Sequence, residues 1–198
     1  MERTPDSARR IAKVQTSRRR LVVVYSMTAL TETSQFQNKT PTCNSFQAIR
    51  SLREKRVLTL DSNVFIASLK TDENTREKCA KILAKVPRKF ALAEPSIVYQ
   101  EVCGTLARKM SVKVANKAKE QLDLMIDPVL IESCDRRFCL SAFALCSEYS
   151  IYAIDALYLQ VAIANRAILV SLDKEDFIDK LKNNKLPIEV YTVSEFPY

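Results

Sequence analysis

The chain has 198 residues, 47% of them hydrophobic, and a formal net charge of +8, which is a length and composition typical of one globular domain with a short appendage. A single glycine excludes collagen-like and glycine-rich classes, and no apolar run approaches the roughly 18 residues that a membrane span needs. The sequence contains no histidine, which excludes Ser-His-Asp and Cys-His triads and zinc motifs that use histidine. Any catalysis must therefore use carboxylates, Lys, Tyr, Ser, Cys or a metal ion on oxygen ligands.

The positive charge is concentrated at the beginning of the chain. Residues 1–56 contain 12 basic and four acidic side chains, whereas residues 57–198 contain 19 of each. We therefore predict a basic N-terminal extension over residues 1–55 and a folded domain over residues 56–198. The composition of the extension is typical of a poorly ordered tail. Translation from an upstream start codon, with Met27 as a later candidate, would explain it equally well.

A functional interpretation of the extension also remains open. Arg18, Arg19 and Arg20 could attract RNA phosphates through the release of counterions. The same arginines precede a short apolar stretch, as in a twin-arginine export signal, but Tyr25 soon interrupts that stretch, which argues against export. The six cysteines form no Cys-x-x-Cys pair, which favours a reducing compartment. We therefore expect a cytoplasmic protein without a membrane association.

From residue 57 onward, short β-like runs alternate with longer helical patterns. Strands are predicted over 57–60, 90–93, 129–132, 168–171 and 188–191, and helices over 62–70, 75–86, 95–110, 112–126, 135–149, 156–166 and 174–182. Pro87 is expected to end the second helix and Pro95 to begin the third, because proline is favoured at a first helical position. This alternation predicts an α/β fold: a three-layer α/β/α sandwich with a short-stranded, mainly parallel central sheet.

Four acidic residues stand where such a sheet places functional groups, at the carboxyl ends of its strands. Asp61 and Asp173 follow the first and fourth predicted strands, Asp155 begins an almost wholly apolar helix, and Glu101 lies in the helix after Pro95. Each has a structural alternative. The three aspartates precede helices, where Asp is a favoured N-cap, and an isolated helical Glu is most often solvated.

The combination of the four acids indicates a metal site. Four carboxylates at one edge repel one another unless a cation lies between them or their pKa values rise. Oxygen ligands without histidine or paired thiolates suit Mg²⁺ or Mn²⁺. Such ions bind phosphodiesters and lower the pKa of a bound water, which permits hydrolysis without histidine.

Four segments of the sequence resemble the motifs of PIN-domain ribonucleases, especially the VapC-like toxin branch. The resemblance covers about residues 56–195. It is carried by Val57-Leu58-Thr59-Leu60-Asp61-Ser62-Asn63-Val64-Phe65, Glu94-Pro95-Ser96-Ile97-Val98-Tyr99-Gln100-Glu101-Val102, Ile154-Asp155-Ala156-Leu157-Tyr158-Leu159-Gln160-Val161-Ala162 and Leu169-Val170-Ser171-Leu172-Asp173-Lys174-Glu175-Asp176-Phe177. It implies that Asp61, Glu101, Asp155 and Asp173 are the catalytic, metal-binding residues. Asn63 supports them as part of the first motif, and Ser171 and Asp176 orient water or a ligand. Ser171 stands where Thr is frequent in the family, and Gln160 interrupts an otherwise apolar helix.

The main hypothesis is therefore a Mg²⁺- or Mn²⁺-dependent endoribonuclease that hydrolyses RNA phosphodiesters. The resemblance to toxins implies a small antitoxin that covers the acidic site, and a homodimer. A stand-alone RNA-processing nuclease would carry the same motifs. The alternative from another class is a catalytically inactive PIN-like module that binds RNA or protein. An aspartyl-nucleophile phosphatase needs Asp-x-Asp after its first strand, where this chain has Asn63. A receiver domain is a poor match too, because it needs a phospho-acceptor Asp after a central strand, whereas the third strand here ends at Glu132-Ser133.

Overall fold

The computed structural model describes residues 55–69, 73–86 and 88–198. The predicted extension, including Arg18, Arg19 and Arg20, lies outside the described residues except for Lys55. The elements follow in chain order as β1 (Arg56–Leu60), α1 (Ser62–Ser68), α2 (Glu73–Leu83), β2 (Phe90–Pro95), α3 (Val98–Lys109), α4 (Val112–Met125), β3 (Ile126–Glu132), α5 (Arg136–Tyr149), α6 (Ala153–Asn165), β4 (Ile168–Ser171), a π-helical turn (Lys174–Ile178), α7 (Asp179–Lys182) and β5 (Val190–Thr192).

The five strands form one sheet in the order β3-β2-β1-β4-β5, and every neighbouring pair is parallel. β1 is central, and its Leu58 pairs with Leu92 of β2 on one side and with Ile168 of β4 on the other. The strand order therefore changes direction at β1. Such a switch point opens a crevice at the carboxyl ends of the strands, where α/β proteins bind ligands. The predicted α/β fold with a parallel sheet is confirmed.

The core lies on both faces of this sheet. Leu58 and Leu60 of β1 are fully buried, and β2 is buried along its whole length, as expected for parallel strands covered by helices on both sides. Helix α6 packs across β2, β1 and β4. Its Leu159 and Val161 are also inaccessible to solvent, which explains why its sequence is apolar almost all round. None of the described helices is long and apolar enough to cross a membrane.

Several sequence expectations at element boundaries are wrong. Helix α2 ends at Leu83 and not at Pro87, which lies outside the described residues, and β3 begins at Ile126 and not at Val129. Pro95 is the last residue of β2 and pairs with Glu132 of β3, whereas α3 begins only at Val98. Its ring is tolerated there because a strand end loses little when one N–H donor is missing. Asp155 is not an N-cap: α6 begins at Ala153 with Tyr152 as its cap. The side chain of Asp155 therefore has no capping role.

The C-terminal tail packs against the first strands through aromatic rings. Phe196 and Tyr198 contact each other and Phe90, with ring centroids 5.5–6.2 Å apart. Glu189 accepts hydrogen bonds from the hydroxyls of Tyr191 and Tyr198, both at 2.9 Å, and pairs with Arg56. These contacts fix β5 and the tail to β1 and β2.

Candidate active site

The structure brings all four predicted acids to the carboxyl edge of the sheet. Asp61 follows β1, and Asp173 lies two residues beyond β4, the neighbouring strand. Glu101 and Asp155 occupy the first turns of α3 and α6. Helix α3 leaves the carboxyl edge after β2, and α6 returns from it to begin β4, so the N-termini of both helices lie at this edge. Their N-terminal dipoles favour negative charge there.

Asp61 is held in place by one side chain from the first turn of α1 and one from the end of β4. It is 5% exposed, and its Oδ2 accepts hydrogen bonds of 2.6 Å from both Ser171 Oγ and Asn63 Nδ2. Ser171 Oγ in turn accepts from Asn63 Nδ2 at 3.2 Å and from the Asp173 backbone N–H at 2.9 Å. These contacts use the single hydroxyl hydrogen and both lone pairs of Ser171. Ser171 therefore orients Asp61 directly.

Asn63 and Asp173 add further hydrogen bonds to this part of the site. Asn63 Oδ1 accepts from the Leu172 backbone N–H at 3.1 Å, which ties the first turn of α1 to the loop after β4. Asp173 Oδ1 accepts from the Asp176 N–H at 3.0 Å and so caps the π-helical turn. The Asp176 side chain is exposed and pairs with Lys180 at 3.2 Å. Asp173 is thus a cap through its Oδ1.

The four acids affect one another electrostatically. Burial raises the pKa of Asp61, the charge of Glu101 raises it further, and the hydrogen bond from Ser171 opposes both effects. The pKa of Asp155 is raised to about 7, first by burial and then by the charges of Asp61, Asp173 and Glu101, with Lys180 acting in the opposite direction. The group therefore carries a repulsion that a bound cation would relieve.

The donor set fits a hard, hydrated cation. Among the described residues, no three carboxylate or thiol side chains lie together as a ready-made metal cage. The four acids are therefore within electrostatic reach of one another, without being grouped at ligating distance. Mg²⁺ usually keeps several waters and takes only one or two protein carboxylates directly. An all-oxygen donor set without histidine suits Mg²⁺ or Mn²⁺, whereas zinc sites are most often built from three or four ligands that include histidine nitrogen or cysteine sulfur.

Sequence reasoning missed Glu94, which lies directly behind this site on β2. Its side chain is fully buried, and its Oε1 accepts a hydrogen bond from the Leu60 backbone N–H at 2.8 Å. Oε2 has no hydrogen-bond partner among the described residues. Burial, followed by the nearby charge of Asp61, raises the pKa of Glu94 well above its ordinary value. The available signal was an acid within the otherwise apolar strand Phe90–Pro95.

Tyr158 is the second residue that the sequence did not single out. It is completely buried on α6, and its hydroxyl donates a 2.6 Å hydrogen bond to Glu101 Oε2. Burial and the charges of Glu94 and Glu101 raise the pKa of this phenol. The spacing was informative in retrospect, because Tyr158 is three residues after Asp155 and such residues share one helix face. Tyr158 therefore fixes one carboxylate of the site while its ring fills the core.

The comparison with family models decides the classification. The model for the PIN domain matches residues 58–183, which is more than half of the chain and includes all four acids. The chain belongs to the PIN-domain family. The sequence resemblance to this family is therefore confirmed, although no curated protein matches the sequence.

Three solved structures share the fold at low sequence identity. VapBC2 of Rickettsia felis, bound to a promoter DNA fragment, is 16% identical with a TM-score of 0.50, covering 69% of this chain and 98% of that chain. VapC20 of Mycobacterium tuberculosis, a sarcin-ricin loop cleaving toxin, is 12% identical with a TM-score of 0.51, and the match covers 66% of this chain and 98% of that chain. VapBC-1 of nontypeable Haemophilus influenzae is 14% identical with a TM-score of 0.51, covering 70% and 99%. At these identities the likeness establishes the fold alone.

Proposed function

We propose that this PIN-domain protein is a Mg²⁺- or Mn²⁺-dependent endoribonuclease. The observation that carries the proposal is the convergence of the four acids on the carboxyl edge of the sheet, where burial first, and then the charges of the other three acids, raise the pKa of Asp155 to about 7. Repulsion of this kind destabilises a fold and is typical of sites that bind a charged ligand. Membership of a family whose members are typically ribonucleases supports the same activity.

Asp61, Glu101, Asp155 and Asp173 would hold the ion. When bound, a divalent cation supplies Lewis-acid stabilisation of a phosphodiester and lowers the pKa of a coordinated water. The other residues prepare the carboxylates. Ser171 and Asn63 fix the rotamer of Asp61, and Tyr158 fixes Glu101. Geometry held by such surrounding hydrogen bonds is what keeps metal-binding carboxylates correctly oriented.

The sequence resemblance alone implies a homodimer. We infer from the structural likeness that the protein is the toxin of a toxin–antitoxin pair. The support is the fold shared with VapC20 and with the toxin-containing complexes VapBC2 and VapBC-1. A short neighbouring reading frame whose co-expression relieves growth arrest by this chain would establish the antitoxin. Growth that the chain leaves unaffected would instead favour a stand-alone RNA-processing role. Sedimentation of the purified protein tests the homodimer.

Asp155→Asn gives the sharpest test of the enzymatic proposal. The substitution removes a repelled charge and disrupts no cap, so we expect a metal-free protein that is more stable than the wild type but does not cleave RNA. Asp135→Asn is the matched control: Asp135 caps α5 through Phe138 N–H at 2.8 Å, and Asn caps about as well as Asp. It should leave stability and cleavage unchanged.

Chelation by EDTA should abolish RNA cleavage by the wild type, and added Mg²⁺ or Mn²⁺ should restore it. Cleavage that persists in EDTA would refute the metal dependence. An active Asp155→Asn variant would refute the role of Asp155. If the wild type binds RNA but cleaves no RNA under any condition, the alternative of an inactive binding module is correct.

A further inference from the structure

Two cysteines lie close together where β3 leads into α5. Cys134 and Cys139 are five positions apart, closer in sequence than any other two of the six cysteines. Cys134 precedes the N-cap residue Asp135, and Cys139 is the fourth residue of α5. The residue before an N-cap often packs against the fourth residue of the helix. Here the Cys139 Sγ lies 3.6 Å from the carbonyl oxygen of Cys134.

A packing role alone does not explain this pair. Apolar residues at these two positions fix the entry of the chain into a helix, and a buried cysteine can serve as a small apolar residue. Cys139, however, is exposed, and Cys134 is only partly buried. Cys79 shows the contrast, because it is fully buried in the core and burial raises the pKa of its thiol to about 11. Dissolved reagents therefore reach the pair but not the core thiol.

Helix geometry restricts which neighbouring thiols can form a bond. A disulfide needs two Cα atoms within about 7 Å of each other. Cys139 and Cys146 are seven residues apart on α5, which separates their Cα atoms by about 10.5 Å along the helix axis. Cys146 Sγ contacts the Ala142 carbonyl oxygen one turn earlier in the same helix. The Cys139 sulfur, in contrast, lies against the backbone of Cys134, so rotation of the Cys134 side chain can bring the two sulfur atoms together.

The pair is connected to the loop that begins α3. The Cys134 N–H donates a hydrogen bond to Ser96 Oγ at 3.1 Å, and the Ser96 N–H donates to the Glu132 carbonyl oxygen at 2.8 Å. Ser96 lies two residues before α3, whose first turn contains Glu101. A covalent bond at Cys134 therefore acts on backbone that is hydrogen-bonded to the start of an acid-bearing helix.

We propose that Cys134 and Cys139 are a site of oxidative modification, at which a hydroperoxide converts the two thiols into an intrachain disulfide that fixes the start of α5 and the loop bound to it. The more exposed Cys139 sulfur attacks one peroxide oxygen and becomes a sulfenic acid, while the O–O bond breaks and the second oxygen leaves as an alcohol or as water. The Cys134 sulfur then attacks the sulfenic sulfur, and the hydroxyl leaves with a proton as water. A dithiol reductant reverses the reaction by exchange. In reducing compartments such disulfides are usually transient and serve catalysis or redox sensing.

Trypsin can identify this bond because Arg136 and Arg137 lie between the two cysteines. The full-length protein is treated with hydrogen peroxide, its remaining thiols are alkylated, and its tryptic peptides are analysed by mass spectrometry with and without reduction. We expect peptides 120–136 and 138–166 to be linked after oxidation and separate after treatment with dithiothreitol. Cys139→Ser should lose the link. Peptide 138–166 also contains Cys146, so Cys146→Ser is the matched control and should retain it.

Amide hydrogen exchange tests the effect of the bond on the loop. A disulfide that closes the first turn of α5 restricts local opening. The amides of Ser96 and Cys134 should therefore exchange more slowly in the oxidised wild type than in the reduced wild type. Cys139→Ser should show no slowing after the same peroxide treatment, and because Cys139 is exposed, this variant should fold as the wild type does.

Four results would overturn the inference: unlinked peptides after oxidation, a link that persists in Cys139→Ser, a bond from the pair to Cys43 or to a second copy of the chain in place of the intrachain bond, or unchanged exchange in the oxidised wild type. Non-reducing electrophoresis detects the covalent dimer. These measurements use neither RNA nor a metal ion, so their outcome is independent of the proposed ribonuclease function.

Discussion

Replacement of Glu94 by Gln should change how the stability of the protein depends on pH. Glu94 is fully buried, with one oxygen bound to the Leu60 N–H at 2.8 Å and the other without a partner among the described residues. A Gln side chain offers the same acceptor to Leu60 and cannot ionise. The neutral acid and the amide each leave one buried polar group unsatisfied, so the two proteins should have similar free energies of unfolding at about pH 4.

The difference should grow as the pH rises. The pKa of Glu94 is raised in the folded state, so the folded protein binds this proton more tightly than the unfolded chain. The resulting stability is fully present below the unfolded pKa of about 4.3 and is lost as the pH rises through the folded pKa. Within that window the wild type should lose up to about 1.4 kcal/mol per pH unit relative to Glu94→Gln.

Urea denaturation of both proteins between pH 4 and pH 8, in the presence of EDTA, measures this difference. Other titrating groups are common to both proteins and cancel to a first approximation. Glu195→Gln is the control. Hydrogen bonds with Lys182 and Thr192 lower the pKa of Glu195 from 4.5 to about 2, so its stabilising contribution is lost mainly below the pH range of the assay, and the difference between the wild type and Glu195→Gln should stay nearly constant between pH 4 and pH 8. A wild-type to Glu94→Gln difference that is constant with pH would refute the reasoning.

Two further predictions concern Tyr158 and the extension. Tyr158→Phe keeps the buried ring but removes the 2.6 Å hydrogen bond to Glu101, and hydrogen bonds to charged groups contribute about 1.5–3 kcal/mol. The fold should therefore be retained while the Mn²⁺ affinity, measured by calorimetry, falls. Unchanged Mn²⁺ affinity would show that the phenol does not position Glu101. Removal of residues 1–55 should leave RNA affinity unchanged at every salt concentration if the extension does not bind RNA. A salt dependence that is shallower in the shortened chain, by about 0.7 for each single-strand phosphate that the extension had neutralised, would show that residues such as Arg18 bind the RNA backbone.

The sequence was sufficient for the elements and for the edge at which the acids meet. Alternation of apolar runs placed β1 and β4 within one residue of their observed bounds, and parallel strands necessarily put Asp61 and Asp173 at one edge. It was insufficient for the order of the strands, because the pairing of Leu58 with Ile168 joins residues more than 100 positions apart. Local periodicity contains no information about such a pairing.

The sequence also failed where a residue has two roles. Tyr158 is a core residue and a hydrogen-bond donor, and only its 2.6 Å contact with Glu101 distinguishes it from the apolar residues around it. Glu94 is hidden within an apolar strand because burial usually excludes an acid. Asp155 resembles a cap in the sequence because the predicted helix begins three residues too late. Errors of a few residues at a helix boundary are ordinary. Here the error made Asp155 look like an N-cap, although it lies inside the first turn and does not cap the helix.

The strand order also determines when the site can exist during protein synthesis. Asp61 is oriented by Ser171, which lies 110 residues further along the chain, and the central strand β1 gains its neighbour β4 only after β2 and β3 have been made. A nascent chain that ends before β4 carries three of the four acids but lacks both Asp173 and the serine that orients Asp61. Domains generally fold as units as they emerge. The acidic site therefore cannot assemble until synthesis has passed Asp173, so a chain that stops earlier cannot bring the complete set of acids to RNA.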